Sequence, residues 1–129
     1  MGTASSEHFL PQLPLFAFGT LRRGHSNHHL LTGRFTQVSR AVLPGFGRVQ
    51  ALMIAPNPQQ QVAGELFHIK PERYRQTMKQ IDQLEGIPAG QLTGALYRRI
   101  RVQVSTDLGR QEAWAYVRPD TPEDFCSRD

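Results

Sequence analysis

Phe16-Ala17-Phe18-Gly19-Thr20-Leu21-Arg22-Arg23-Gly24 runs a short apolar strand into a Gly-Thr turn. The apolar residues fit a buried strand, and the glycine after them lets a backbone N–H group come close to a ligand. A turn of this kind holds a carboxylate or an oxyanion, or it is an ordinary tight turn. The segments on either side decide what it belongs to.

Upstream, residues 1–14 carry two prolines and little periodicity and read as a tail, so the domain begins at Leu15. Downstream, residues 27–31 suit a helical turn. Residues 34–43 resemble a strand with Phe35, Val38 and Val42 as its apolar members, broken by Pro44-Gly45 and Gly47. Residues 49–54 form the next expected strand, closed by Pro56-Asn57-Pro58, and residues 61–69 a further one. Pro71-Glu72 opens the one convincing helix, since proline suits a first turn and an acid there favours the positive end of the helix dipole. At about 100° per residue, Tyr74, Met78 and Ile81 share a narrow sector, and Glu85 falls in the same sector. Gly86 and Pro88 stop the helix just beyond. Residues 96–104 and 112–117 pair as a hairpin around Thr106-Asp107-Leu108-Gly109, and residues 119–129 form a polar tail. Many short strands, one main helix and no βαβ alternation predict an α+β domain over residues 15–118, with a curved, mostly antiparallel sheet or barrel.

Composition narrows the function classes. The chain has 129 residues, enough for a single core, and its 39% hydrophobic and 20% charged residues are those of a soluble globular protein. No apolar run approaches the roughly 20 residues of a membrane span, and Met1 to Glu7 lack the blocks of a signal peptide, which predicts a cytoplasmic protein with no membrane partner. Cys126 is the only cysteine, so there is no internal disulfide and no thiol metal cluster. The net charge of +4 raises the question of nucleic acid, but the basic residues are scattered and not interleaved with aromatics, so none is expected to bind. Nothing in the sequence sets an oligomeric state.

Glu85 is the leading chemical candidate. Partial burial and the negative end of the helix dipole both disfavour its ionised form and move it toward a pKa useful for proton transfer. Alternatively the helix frays at Leu84 and Glu85 points into solvent. Glu65 shares strand parity with Ala63, Phe67 and Ile69 and is expected to pair with Arg98 or Arg99. Tyr97, Arg99, Arg101 and Gln103 share one strand face and Arg98, Ile100, Val102 and Val104 the other; a β-bulge would swap the two arginines. His25, His28 and His29 have turn-forming neighbours and no further ligand at a telling distance, so they read as surface or helix-start residues and no metal is expected. Trp114 and Tyr116 read as core or as a pocket wall.

Phe18-Gly19-Thr20-Leu21-Arg22-Arg23-Gly24 with Asn27-His28, then residues 62–69, then Asp82-Gln83-Leu84-Glu85-Gly86, then Tyr97-Arg98-Arg99, resemble in order the γ-glutamylcyclotransferase-like superfamily, its γ-glutamylamine cyclotransferase and AIG2-like branch most of all. The resemblance covers about residues 15–118. It implies a small mixed, mostly antiparallel β-barrel with helices packed outside and a cavity where the first turn meets the end of the main helix. It implies an enzyme that closes a γ-glutamyl amide to 5-oxoproline and releases an amine, with no cofactor and a small-molecule γ-glutamyl substrate. Glu85 matches the family's catalytic glutamate, and Phe18, Gly19, Thr20, Leu21, Tyr97 and Tyr116 fall to substrate binding. Phe18 and Phe67 replace tyrosines of the family pattern, and the 86–96 loop is longer than in many relatives. Two other classes remain beside this one: a ligand-binding module of the same fold without turnover, and a basic nucleic-acid-binding domain.

Overall fold

The computed structural model describes residues 10–122; Cys126 and most of the two expected tails lie outside that range. Its strands are β1 (Leu15–Ala17), β2 (Phe35–Gln50), β3 (Met53–Ile69), β4 (Arg98–Thr106) and β5 (Gly109–Val117), with one α-helix, α1 (Tyr74–Leu84). They close into a barrel in the order β1-β3-β2-β4-β5. The β1–β5 contact is parallel, through Leu15 and Trp114, and the other pairings are antiparallel.

The alternation of side chains builds two apolar layers from one set of strands. Phe16, Leu43, Leu66, Val102 and Ala115 point into the barrel. Their neighbours Leu15, Phe67 and Trp114 point outward against α1. Tyr74, Met78 and Ile81 form the helix side of that second layer, as the stripe predicts, and Thr77 is buried between them. The helix opens with a 3-10 turn, Pro71–Arg73, and another 3-10 turn, His28–Leu30, occupies the expected helical stretch. Parity in β4 holds without a bulge: Ile100, Val102 and Val104 line the barrel, and Arg99 faces α1.

The middle of the chain departs from the expected short strands. Pro44-Gly45 does not end a strand; β2 runs through it for 16 residues with a register shift between Pro44 and Phe46, and Gly45 supplies the positive φ of 82°. A breaker that ends a strand and one that bulges it look alike in sequence. Pro56-Asn57-Pro58 lies inside β3: Pro56 stands opposite Phe46, and residues 57–60 fall in the register shift, so Pro58 faces no β2 residue that would call for its N–H. The stretch 49–54 is the hairpin tip, with Gln50 facing Met53 across Ala51-Leu52.

β1 sits tight against β3. A Cβ on Gly64 would stand 2.4 Å from the Ala17 carbonyl oxygen and 2.8 Å from the Phe16 ring, so glycine lets β1 lie close and deliver the turn that follows it to the barrel rim.

Candidate active site

The turn after β1 is fixed through its carbonyls. Arg48 Nη2 donates to the Phe18 oxygen at 2.8 Å, Arg22 Nε to the Gly19 oxygen at 3.0 Å, and the Asn27 N–H to the Thr20 oxygen at 2.9 Å. His28 Nδ1 donates to the Leu21 oxygen at 3.0 Å. Asn27 also donates its side-chain amide to Thr20 Oγ1 at 2.8 Å. Among the described residues, no protein acceptor takes the N–H groups of Gly19, Thr20 and Leu21. Peptide units are planar, so pinning each carbonyl on one side aims the N–H groups away from it. A row of backbone donors without acceptors is an anion receptor.

That turn lines a cavity of about 210 Å³ with Phe16, Leu52, Leu84, Glu85, Tyr97 and Tyr116. All seven residues expected at the site, Phe18, Gly19, Thr20, Leu21, Glu85, Tyr97 and Tyr116, are therefore brought to one hollow. Glu85 caps the C-terminus of α1 with φ −83° and ψ 3°, and its N–H donates to the Ile81 oxygen at 3.0 Å, so the helix does not fray before it. Its carboxyl is pushed up to about 7, first by burial and then by the like charge of Asp82 one turn back. Among the described residues no hydrogen bond compensates that burial. A half-buried, uncompensated carboxyl in the cavity lined by the turn can accept and return a proton at neutral pH.

The walls are tied down by their polar ends. Tyr116 OH donates to Asp82 Oδ1 at 2.6 Å, and burial with the nearby carboxylates pushes the phenol well above its usual range. Asp82 also receives Arg99 Nη2 at 3.0 Å, with Arg99 Nε at 3.0 Å in ion-pair contact, and the guanidinium stacks 4.5 Å from the Trp114 ring. Tyr97 OH donates to the Leu52 oxygen at 2.7 Å, which fastens the β2–β3 tip over the cavity. Phe18 packs into the barrel layer beneath Arg48, 5.4 Å from its guanidinium. Phe67, the other departure from the family pattern, packs on Phe35 and His28 away from the cavity lining.

Glu65 does not pair with Arg98 or Arg99. Register places it beside Ala17, so it meets the chain leaving β1: the Arg23 N–H donates to Oε1 at 2.8 Å and Arg23 Nε to Oε2 at 3.0 Å. Burial alone would raise this carboxyl, but the Arg23 contacts hold it below its usual value. Arg98 instead donates to the Thr121 oxygen at 2.8 Å. Among the described residues no group of three or more His, Cys, Asp or Glu is placed to hold a metal ion; His28 is taken by Leu21, and His29 Nδ1 donates to the Ser26 oxygen at 3.1 Å. A larger hollow of about 460 Å³ lies between Leu10–Gln12, α1 and the loop after it. Its one acid, Asp82, is engaged by Arg99 and Tyr116, so the smaller cavity with the raised carboxyl is the better placed for proton transfer.

Sequence reading named Asp82 and Asn27 only within motifs, with no site role, and missed Arg48. Asp82 stands three residues before Glu85, a spacing that makes helix neighbours and was open to reading. Arg48 reaches the turn through the fold of the β2–β3 hairpin, for which no local signal exists.

A sequence model of the family described as γ-glutamyl cyclotransferase, AIG2-like, matches residues 15–128. The chain is 34% identical over 115 residues to the γ-L-glutamyl-butirosin B γ-glutamyl cyclotransferase of Niallia circulans, covering 84% of this chain and 67% of that protein. Among solved structures it is similar to YkqA from Bacillus subtilis, with a TM-score of 0.64 and 25% identity over 84% of this chain but 36% of that one. An uncharacterized protein from Pyrococcus horikoshii shares the fold, with a TM-score of 0.54 and 22% identity over 85% of this chain and 80% of its own. So does an Arabidopsis thaliana protein, with a TM-score of 0.62 and 18% identity over 99% of this chain and 73% of its own.

Proposed function

This chain belongs to the AIG2-like γ-glutamyl cyclotransferase family, and from that premise we propose that it is an enzyme converting a γ-glutamyl amide to 5-oxoproline and a free amine, with Glu85 as the proton-transfer group. The observation that carries the reading is the pairing of a carboxyl raised to about 7 with free Gly19, Thr20 and Leu21 N–H donors in one cavity.

The substrate's α-ammonium cannot attack until it loses a proton, which the Glu85 carboxylate takes. The freed amine adds to the γ-carbonyl, forming the ring C–N bond. As the amide C–N bond breaks, Glu85 returns the proton to the departing nitrogen, and the proton shed by the ring nitrogen leaves by the same carboxyl with the amine. A carboxyl with a pKa near neutrality serves both directions. The turn's N–H groups receive the α-carboxylate or the developing oxyanion without reorganising, because their carbonyls are already anchored. Since attack is intramolecular, holding the chain folded back supplies several kcal/mol of the barrier on the usual scale of orientation effects, about 7–11 kcal/mol at most.

The test is release of 5-oxoproline from γ-glutamyl amines and dipeptides by the protein and by Glu85→Gln. Loss of turnover by about 10²–10⁴ in the variant supports the role; equal rates remove Glu85 from it. Binding of γ-glutamyl amides without product identifies a ligand-binding module in place of an enzyme.

A further inference from the structure

The cavity does not enclose a whole substrate. At about 210 Å³ it lies below the roughly 300 Å³ at which small-molecule pockets usually begin, and holds the space of roughly seven waters. A γ-glutamyl group accounts for most of that space, so the far part of a longer amine, beyond the scissile amide nitrogen, would reach the rim.

That rim has a definite chemistry. Leu52 and Leu84 both line the cavity and are 49% and 43% exposed, large apolar side chains left partly in solvent. Leu52 belongs to the β2–β3 tip and Leu84 is the last residue of α1, directly before Glu85. The tip is held at both of its carbonyls: Arg48 Nη1 donates to the Ala51 oxygen at 2.7 Å, and Tyr97 OH takes the Leu52 oxygen. Leu52 Cδ2 stands 3.2 Å from where a Cβ on Gly19 would be, so its side chain lies against the turn that receives the anion. The electrostatics are one-sided. Among the described residues lining the cavity, Glu85 is the sole acid, and it has its own task. Outside the turn the Arg48 and Arg22 guanidiniums sit close enough for each to feel the other's charge.

We infer that the leaving amine of this enzyme carries an apolar body, which Leu52 and Leu84 receive, and no second positive charge, which the arginines behind the turn disfavour and no free carboxylate among the described lining residues would offset. The inference rests on the proposed cyclisation and adds the class of amine. A cationic amine would come out of water onto leucines with no counter-charge, whereas an alkyl chain covers surface that is otherwise exposed. Specificity then comes from repulsion as much as from contact.

Three amides of known composition test it: γ-glutamyl methylamide, γ-glutamyl pentylamide and the γ-glutamyl amide of 1,5-diaminopentane. The pentyl and aminopentyl compounds match in length and differ in charge. The expected result is a kcat/KM for pentyl at least tenfold above aminopentyl, with that ratio reduced several-fold in Leu52→Asp and in Leu84→Asp, since a carboxylate at the mouth favours the cation. Aminopentyl turned over as well as pentyl, or a ratio unmoved in both variants, overturns the inference. If methylamide yields no 5-oxoproline either, the cyclisation reading fails separately, and the ratio of dissociation constants for pentyl and aminopentyl by calorimetry decides the inference by the same criterion.

Discussion

The raised Glu85 carboxyl makes a prediction about stability that needs no substrate. Its pKa moves from the ordinary 4.5 in the unfolded chain to about 7 in the fold, by burial first and Asp82 second. The folded protein therefore holds a proton that the unfolded chain has released between about pH 4.5 and 7, and stability falls as pH rises through that window. At about 1.4 kcal/mol per pH unit the ceiling is about 3 kcal/mol, and residual exposure of the carboxyl lowers a realistic figure to about 2 kcal/mol. Glu85→Gln removes the ionisation and keeps the shape. Urea denaturation of both proteins at pH 4.5 and 8.5 is the assay: near-coincident curves at pH 4.5, and the variant more stable by about 2 kcal/mol at pH 8.5, a midpoint displaced by about 1 M. Titration of the groups not coupled to Glu85 cancels in the comparison. A gap between the two proteins that is the same at both pH values would refute the reasoning, because it would mean that Glu85 ionises as freely folded as unfolded.

Three more substitutions probe the surroundings. Asp82→Asn leaves the Arg99 guanidinium, 6% exposed, without its counter-charge and should cost about 3 kcal/mol in denaturation; it should also lower the Glu85 pKa and carry the acid limb of the kcat/KM profile to lower pH, and an unmoved limb would remove Asp82 from that control. Gly64→Ala puts a methyl 2.4 Å from the Ala17 carbonyl, and a loss of about 1–3 kcal/mol with a lower Tm is expected; an unchanged Tm would show that β1 gives way freely. Thr77 is fully buried and its Oγ1 has no partner among the described residues, so Thr77→Val should be neutral or stabilising by up to about 1 kcal/mol, and a clear destabilisation by differential scanning calorimetry would reveal a hidden bond.

How much of this was legible in the sequence depended on the range of the signal. Ile100, Val102 and Val104 announce a strand face at period two, and Tyr74, Met78, Ile81 and Glu85 announce a helix face that ends in an acid; in both cases the structure shows the faces so read. Pro44-Gly45 and Pro56-Asn57-Pro58 misled because local breakers do not say whether the chain turns back or bulges and continues, and here the pairing of β2 with β3 carries both through. Glu65 misled for the same reason at longer range: its partner is decided by which strand lies beside it, and β1 brings Arg23 where parity alone suggested the arginines of β4.

The turn after β1 shows why residue types were enough to point to the candidate site but not to explain its geometry. Gly19 and Thr20 are what a tight approach requires, yet a turn left to itself spends its N–H groups on its own carbonyls or on water. Here four consecutive carbonyls, Phe18 to Leu21, are all claimed: those of Phe18, Thr20 and Leu21 from beyond the turn, by Arg48, Asn27 and His28, and that of Gly19 by the backbone and side chain of Arg22. Those side chains and amides come from β2, from the turn's own end and from the 3-10 segment, so the receptor is a product of the whole barrel rim. Donors fixed this way lose little freedom when an anion arrives, which is the condition for holding a charge that develops only during reaction. Arg48 joins the two ends of the problem, since it grips both the Phe18 carbonyl at the floor and the Ala51 carbonyl at the lip. If the proposed function holds, loosening it would therefore disturb glutamyl binding and leaving-group preference together, which separates its role from that of Leu52 or Leu84, whose loss acts first on the amine.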